Sequence, residues 1–189
     1  MVTETGTTIA KVVGPPHVEL LLAFTNSVDR EEQTDDITTP AELSAWLRSH
    51  VGLARRHRAT EPDLELGRRL RDGLREAMRG NHEGGSRVSA LKELVDELPL
   101  VLDVSAASPG VKPASGGVRG GLAQLMVAVV EAAGDDTWRR TKMCAADSCQ
   151  WAFYDASKNR SRTWCEWGCG NKEKTRNYRA RQKSKATLG

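Results

Sequence analysis

The sequence has 189 residues, 39% hydrophobic and 28% charged, and its 28 Lys and Arg against 25 Asp and Glu give a net charge of +3. This composition excludes a disordered chain, and the longest apolar runs, at 18–24 and 122–130, are too short for a membrane span. No basic segment precedes an apolar stretch near residue 1, so we expect no secretory signal and a cytoplasmic location.

Four helices are predicted in the first hundred residues, because apolar residues recur there at spacings of three and four. The predicted ranges are 17–29, 39–52 and 61–80, and a fourth helix from Ser86 or Val88 to residue 98; a polar loop covers 30–38. Thr39 and Glu42 have the spacing of a capping box, with Pro40 at the first helical position.

A change to alternating apolar residues predicts a β-hairpin after the fourth helix. Its strands are 100–104 and 111–114, and a Ser-Pro-Gly turn at 108–110 lies between them. A fifth helix over 119–133 follows, and the Gly-Asp-Asp segment after it ends the helix. The body is therefore expected to be mainly α-helical with a small β-hairpin.

The body has no catalytic motif: it lacks a glycine-rich phosphate loop, a nucleophile elbow and an HExxH sequence. We therefore expect no enzyme. Its histidines are interpreted as surface residues rather than ligands; they are His17, His50, His57 and His82. The Asp-Asp pairs at 35–36 and 135–136 are interpreted as loop caps rather than acid–base pairs. The arginine runs at 55–58 and 68–69 are interpreted as solvated faces rather than phosphate sites.

Charge is distributed unevenly along the chain. Residues 138–189 have 13 Lys and Arg against 4 Asp and Glu, a net charge of +9, whereas residues 1–137 have 15 against 21, a net charge of −6. All four cysteines lie in the basic part. We therefore predict two domains, an acidic body over 1–137 and a basic module over 138–189 that binds a polyanion.

The cysteines have the spacing of a four-thiolate zinc site. Cys144 and Cys149 form one close pair, Cys165 and Cys169 form another, and fifteen residues separate the pairs. With four protein ligands no coordination position stays open, so we predict one structural zinc per chain. Two disulfides are a disfavoured alternative, because no export signal is expected and the cytosol is reducing. An iron–sulfur cluster is a possible alternative, since four thiolates can bind one. The case for a redox-active cysteine pair is weaker, because neither spacing is Cys-x2-Cys.

The segment between the cysteine pairs is predicted to form a strand that leaves the first pair, a turn, and a segment that returns to the second pair. Residues 151–154 form a strand, 155–161 turn, and 162–164 come back. Aromatic residues are interleaved here and are expected to cover the metal rather than to stack on bases; they are Trp151, Phe153, Trp164 and Trp167.

A basic helix is predicted after Cys169, with Asn171 as its cap. No proline or glycine occurs between Lys172 and Gly189, and the helix has no apolar stripe. Packing against a hydrophobic core does not stabilise such a helix. Binding to phosphate groups would relieve the repulsion between its cations. The cations on one face of the helix are Lys172, Arg176, Arg179 and Lys183, and those on the neighbouring face are Lys174, Arg181 and Lys185. Three more cations lie in the loop before Cys165: Lys158, Arg160 and Arg162.

These residues resemble the CGNR zinc finger, a family named for Cys-Gly-Asn-Arg. The resemblance covers about 45 residues and depends on the segments 144–149, 151–155, 157–165 and 169–172. The fourth letter of the signature is Lys172 here, which weakens any requirement for a bidentate guanidinium at that position. The body resembles ABATE, the domain that usually precedes this finger and that is described as a stress-induced transcription regulator. That resemblance depends on 22–29 and on the order of elements.

Together the resemblances imply a bacterial transcription regulator whose finger reads nucleic acid. We expect a treble-clef-like module in which Cys144 and Cys149 lie on a turn, Cys165 ends a strand and Cys169 enters the helix. Asn26 and Asp29 are candidate ligand-binding residues, although hydrogen bonding at a helix end explains them equally well. The expected nucleic-acid contacts are Arg160, Arg162, Lys172, Lys174, Arg176, Arg179, Arg181 and Lys183.

DNA is the expected partner, and RNA is the first alternative because zinc ribbons bind both. A second alternative is a small-molecule-binding body that uses the finger only for interaction, and a thiolate redox switch is a third. One helix makes few base contacts, so specific binding would suggest a homodimer formed through the body. A small-molecule effector is expected for a regulator, and no membrane partner is expected.

Overall fold

The computed structural model describes residues 14–82, 88–105, 108–166 and 168–187, without the side chains of residues 177, 180, 181 and 183–187. Within these residues the chain forms five α-helices: α1 Pro16–Thr25, α2 Pro40–Val51, α3 Glu61–Gly80, α4 Gly117–Gly134 and α5 Cys169–Thr187. Two 3₁₀ helices cover Val88–Leu94 and Trp138–Arg140. None of the described helices has the length and apolar character needed to cross a membrane.

The described strands form three antiparallel pairs. β1 Val28–Asp29 pairs with β2 Thr34–Asp35, β3 Leu100–Asp103 with β4 Gly110–Pro113, and β5 Thr141–Met143 with β6 Ala152–Tyr154. In the predicted hairpin, Leu100 lies opposite Pro113 and Asp103 opposite Gly110. The architecture is therefore mainly α with small sheets, as the sequence predicts.

Helices α1 to α4 enclose the main core. Leucines from all four helices are fully buried in it, including Leu21, Leu43, Leu70 and Leu122. The predicted capping box begins α2: the Glu42 amide donates to Thr39 Oγ1 at 3.3 Å, and the Thr39 amide donates to Glu42 Oε2 at 2.9 Å. Gly52, with φ of 71°, ends the helix in the left-handed conformation that glycine adopts without strain.

Two predicted helices differ from the structure. The first ends at Thr25 rather than at residue 29, because Ser27 Oγ bonds the Phe24 carbonyl at 2.7 Å and the chain then turns into β1. The fourth is a 3₁₀ helix over Val88–Leu94. Its buried side chains are Leu91 and Leu94, whose spacing of three matches the three-residue turn.

In each aspartate pair predicted to cap a loop, the first residue does so. Asp135 Oδ1 accepts from the Thr137 amide at 3.1 Å, and Asp35 Oδ1 accepts from the Ile37 amide at 2.9 Å. Asp35 also forms a bidentate ion pair with Arg71 at 2.7 and 2.6 Å, which the sequence does not indicate.

Polar groups join the body to the cysteine module. The Asn26 side chain donates to the Ala152 carbonyl at 2.9 Å and accepts from the Ala152 amide at 2.7 Å. From α3, Arg75 donates to the Thr25 carbonyl at 2.7 Å and to the Gln150 carbonyl at 3.0 Å, although it is almost fully buried. Arg79 adds a bond to the Gln150 side chain at 2.7 Å. Hydrogen bonds from α1 and α3, most of them to the backbone of the module, thus hold the module against these helices.

Candidate metal centre and basic helix

The four cysteines meet in one buried cluster. All four sulfur atoms lie within 4.8 Å of one another, and the Cys149–Cys165 and Cys165–Cys169 Sγ distances are both 3.7 Å. Each side chain is at most 6% exposed. The fold therefore brings together cysteines that are distant from one another in the sequence.

Short turns position the first cysteine pair. Cys144 directly follows β5, and its amide donates to the Trp151 carbonyl at 2.8 Å. The Cys149 amide donates to the Ala146 carbonyl at 3.0 Å, which closes the turn between the two thiols. The predicted strand around 151–154 exists as β6, but its partner is β5 and not residues 162–164.

The second pair differs in detail from the expectation. Cys165 lies in an irregular segment between bends at Trp164 and Glu166, so the prediction that it ends a strand is wrong. Cys169 is the first residue of α5, as predicted. Asn171 is the third residue of α5, so the prediction that it caps the helix is wrong; the first turn is closed by the Lys172 amide, which donates to the Gly168 carbonyl at 3.1 Å. Gly168 has φ of 75°, which lets the chain turn sharply between Cys165 and the helix.

The sulfur cage fits a single tetrahedral ion. Zinc–sulfur bonds of about 2.3 Å place the corners of a tetrahedron about 3.8 Å apart, close to the two distances of 3.7 Å. A disulfide requires about 2.05 Å, and all four cysteines are free. An iron–sulfur cluster would spread the thiolates further, because they would bind different iron atoms. Half-buried Trp151 and Trp164 pack beside the cage, together with Phe153, whereas Trp167 lies outside the described residues.

The thiols influence each other's ionisation. Hydrogen bonding from the Cys165 thiol lowers the pKa of Cys144 to about 5. Burial raises the pKa of Cys149 to about 12, and the charge of the neighbouring Cys144 thiolate contributes to this rise. Ionisation of the Cys144 thiol therefore opposes ionisation of the neighbouring Cys149 thiol. A divalent ion would supply the positive charge that four thiolates need.

A buried ion pair between β5 and the residue that follows β6 was not predicted. Lys142 Nζ lies 2.8 Å from Asp155 Oδ2, and both side chains are at most 3% exposed. Asp155 also accepts from the Ser157 amide at 3.0 Å and the Arg162 amide at 2.9 Å, while Lys142 donates to the Arg160 carbonyl. The pair therefore fixes the loop between β6 and Cys165. The only signal in the sequence is the position of Asp155 within the CGNR-like segment.

Several predicted nucleic-acid contacts form ion pairs within the chain. Lys172 Nζ lies 2.8 Å from Glu31 of the body, and Arg176 lies 3.2 Å from Glu173 one turn earlier in α5. Arg160 pairs with Asp136. Arg162 lies 3.0 Å from Glu166 and 5.6 Å from the centre of the Phe153 ring. These pairs have an exposed or half-exposed partner, so phosphates could replace the carboxylates at small cost.

Two of the predicted cations are free of such pairs. Among the described residues, Lys174 and Arg179 have no acidic partner within 4 Å, and both side chains are exposed. Arg181 and Lys183 lie on α5, but their side chains are outside the described part of the chain. Tyr178, the apolar side chain on this surface, is 59% exposed.

Asn26 and Asp29 make hydrogen bonds within the chain. Asn26 binds the backbone of Ala152, as described above, and Asp29 Oδ1 accepts from the amides of Glu31 and Glu32 at 2.8 and 3.0 Å. Asp29 also lines a cleft of about 380 Å³ with Trp151 and Lys172. Ligand binding by Asn26 and Asp29 stays an untested prediction.

Comparison with known families assigns both parts of the chain. Residues 19–139 match the ABATE family, described as "Putative stress-induced transcription regulator", and residues 140–182 match the CGNR zinc finger. Neither description names an enzyme. A search of curated proteins found no significant match. The ABATE match covers more than half of the residues, and the order of the two matches agrees with the order of the helical body and the cysteine cluster. The chain therefore belongs to the ABATE family and ends in a CGNR zinc finger.

Proposed function

We propose that this protein is a transcription regulator that binds DNA through its basic C-terminal helix, and that one structural zinc ion held by four cysteines anchors that helix. The residues proposed to hold the metal are Cys144, Cys149, Cys165 and Cys169. Zinc would supply folding free energy to the module rather than reactivity, because the protein provides all four ligands.

The exposed cationic surface of α5 is the observation that carries the proposal. From Lys174 to Arg179 the described side chains are exposed, and they include Arg176 and Tyr178. A helix without a buried face gains little from a core, whereas Cys169 in its first turn ties it to the metal. Phosphate groups would offset the repulsion between its cations and release bound counterions.

The direct test measures duplex DNA binding by the full, zinc-loaded chain as a function of salt, using fluorescence anisotropy. If about six phosphates are neutralised, log affinity should fall against log salt with a slope near −5. The double variant Lys174→Gln/Arg179→Gln should weaken binding and reduce the magnitude of the slope by about 2, because it removes two phosphate contacts.

The matched control is Arg56→Gln/Lys92→Gln, which removes two exposed cations from the body. It should leave the slope unchanged within about half a unit if the contacts are local to α5. A slope near zero for the wild type, or equal losses in both double variants, would contradict the proposal. Tighter binding to single-stranded RNA at equal salt would favour the RNA alternative instead. Homodimer formation and a small-molecule effector stay predictions, which light scattering and ligand titration can test.

A further inference from the structure

In one segment of the acidic body, all the charged residues are basic. Between Glu42 and Glu61 the sequence has four arginines and two histidines but no Asp or Glu. The segment includes most of α2 and the connection to α3. It lies far along the chain from the cysteine module, and the proposed DNA contacts do not use it.

Three of these arginines line the same open cleft. Arg48 comes from the last turn of α2, and Arg55 and Arg58 come from the connection that follows. The cleft has a volume of about 720 Å³, and Ala45, Ser49 and Leu53 also line it. No carboxylate is among its described lining residues. A volume of this size is within the range of small-molecule sites.

The three guanidinium groups lack acidic partners. Within the described ranges of the chain, none of Arg48, Arg55 and Arg58 has a carboxylate oxygen within 4 Å. Elsewhere in the body the pattern is different, because Arg69 pairs with Glu97 and Arg71 pairs with Asp35. The cleft therefore concentrates positive charge that the protein itself does not neutralise.

The backbone holds these side chains near one another. Gly52 turns the chain at the end of α2, and the Leu53 amide donates to the Leu47 carbonyl at 3.2 Å. Leu53 is buried, which anchors the connection against the helix. The partial negative charge of a helix C-terminus explains an arginine such as Arg48. It does not account for Arg55 and Arg58, which follow the helix.

We propose that this cleft binds the phosphate groups of a small phosphorylated molecule. Planar guanidinium groups bind phosphate oxygens in bidentate fashion, and several converging arginines favour a ligand with more than one negative charge. Leu53 and Ala45 provide apolar surface for the rest of such a ligand. This site is separate from α5 and does not require the protein to bind DNA.

Isothermal titration of the full chain with pyrophosphate, in a buffer without phosphate, tests the site. Pyrophosphate should bind the wild type, and Arg48→Gln/Arg55→Gln should weaken binding at least tenfold, because each guanidinium contributes charge-assisted hydrogen bonds. The matched control is Arg56→Gln, which changes an exposed arginine of the same run outside the described lining of the cleft. It should bind as the wild type does.

Two results would overturn the proposal. The first is a wild type that does not bind pyrophosphate, and the second is equal affinity in the wild type and the double variant. If the wild type does not bind pyrophosphate and the double variant also loses duplex DNA affinity, these arginines contact a nucleic-acid backbone instead. Loss of pyrophosphate binding with unchanged DNA affinity and unchanged thermal stability supports a separate small-molecule site.

Discussion

At the level of single residues, Lys142 and Asp155 form the least exposed ion pair among the described residues. We expect Asp155→Asn to lower the free energy of unfolding by about 3–5 kcal/mol near pH 7, because the Lys142 ammonium would stay buried without its carboxylate. Urea denaturation of the zinc-loaded chain measures this loss. The asparagine keeps the shape of the side chain, but its NH2 group replaces an oxygen that accepts two hydrogen bonds, so the loss combines charge and hydrogen bonding.

Asp136→Asn is the matched control for this variant. Asp136 pairs with Arg160, but the Asp136 side chain is 56% exposed, so its loss should cost less than about 1 kcal/mol. If both variants lose the same stability, the buried pair is not a special stabilising contact.

The same residue predicts a pH dependence. Burial acts to raise the pKa of Asp155, but hydrogen bonds from Lys142, Ser157 and Arg162 outweigh it and hold the pKa below its usual value. Stability from such a carboxylate is complete above the unfolded-state pKa of about 4 and is lost as the pH falls through the lower folded-state pKa. The difference between the wild type and Asp155→Asn should therefore be constant from neutral pH to about pH 5 and narrow below about pH 4.

At the level of secondary-structure elements, Asn26 connects the end of α1 to β6 through two hydrogen bonds to Ala152. We expect Asn26→Ala to cost about 2 kcal/mol or more, because it leaves the amide and carbonyl of buried Ala152 without their partners. Hydrogen exchange should accelerate at the Ala152 amide before it accelerates in α3.

Asn159→Ala is the control for this prediction, since Asn159 is exposed in the loop after β6. Its exchange pattern and stability should stay close to those of the wild type. Unchanged exchange at Ala152 in Asn26→Ala would mean that α3 alone positions the strand. In that case the contact that joins the body to the cysteine module would be the hydrogen bond from Arg75 to the Gln150 carbonyl.

The elements that the sequence predicts well depend on local signals. The capping box at Thr39 needs four consecutive residues, and the spacing of Leu70 and Leu74 within α3 needs one helical face. The cysteine spacing likewise indicates a metal cage, because two short turns can each present two thiols. In each case the information lies within a few neighbouring residues.

The elements that the sequence predicts poorly depend on distant partners. β6 pairs with β5, a three-residue strand whose side chains are all buried and which therefore shows no alternation. Arginine and lysine are usually exposed, so nothing local indicates that Arg75 and Lys142 are buried. Each is buried because a partner more than ten residues away accepts its hydrogen bonds. Local pattern therefore cannot predict the junction between the body and the finger.

At the level of the whole molecule, two separate cores stabilise the chain in different ways. The main core includes apolar side chains from α1 to α4 and from the segments that connect them, together with Met143 and Ala152. Among the described residues, the second contains six buried ones, four of them cysteines; the other two are Ala146 and Phe153. A cluster with so little apolar surface gains little from burial alone, so the metal should contribute most of its stability.

We therefore expect zinc removal to unfold the finger before the body. After chelation, hydrogen exchange by mass spectrometry should show loss of protection over 144–169, whereas α2, α3 and α4 should stay protected by the main core. One equivalent of zinc should restore the original pattern. Cys149→Ser should reproduce the chelated pattern without any chelator, because it removes one ligand but no apolar contact of the body. Unchanged protection over 144–169 in the metal-free chain would show that packing against α3, rather than the metal, holds the finger.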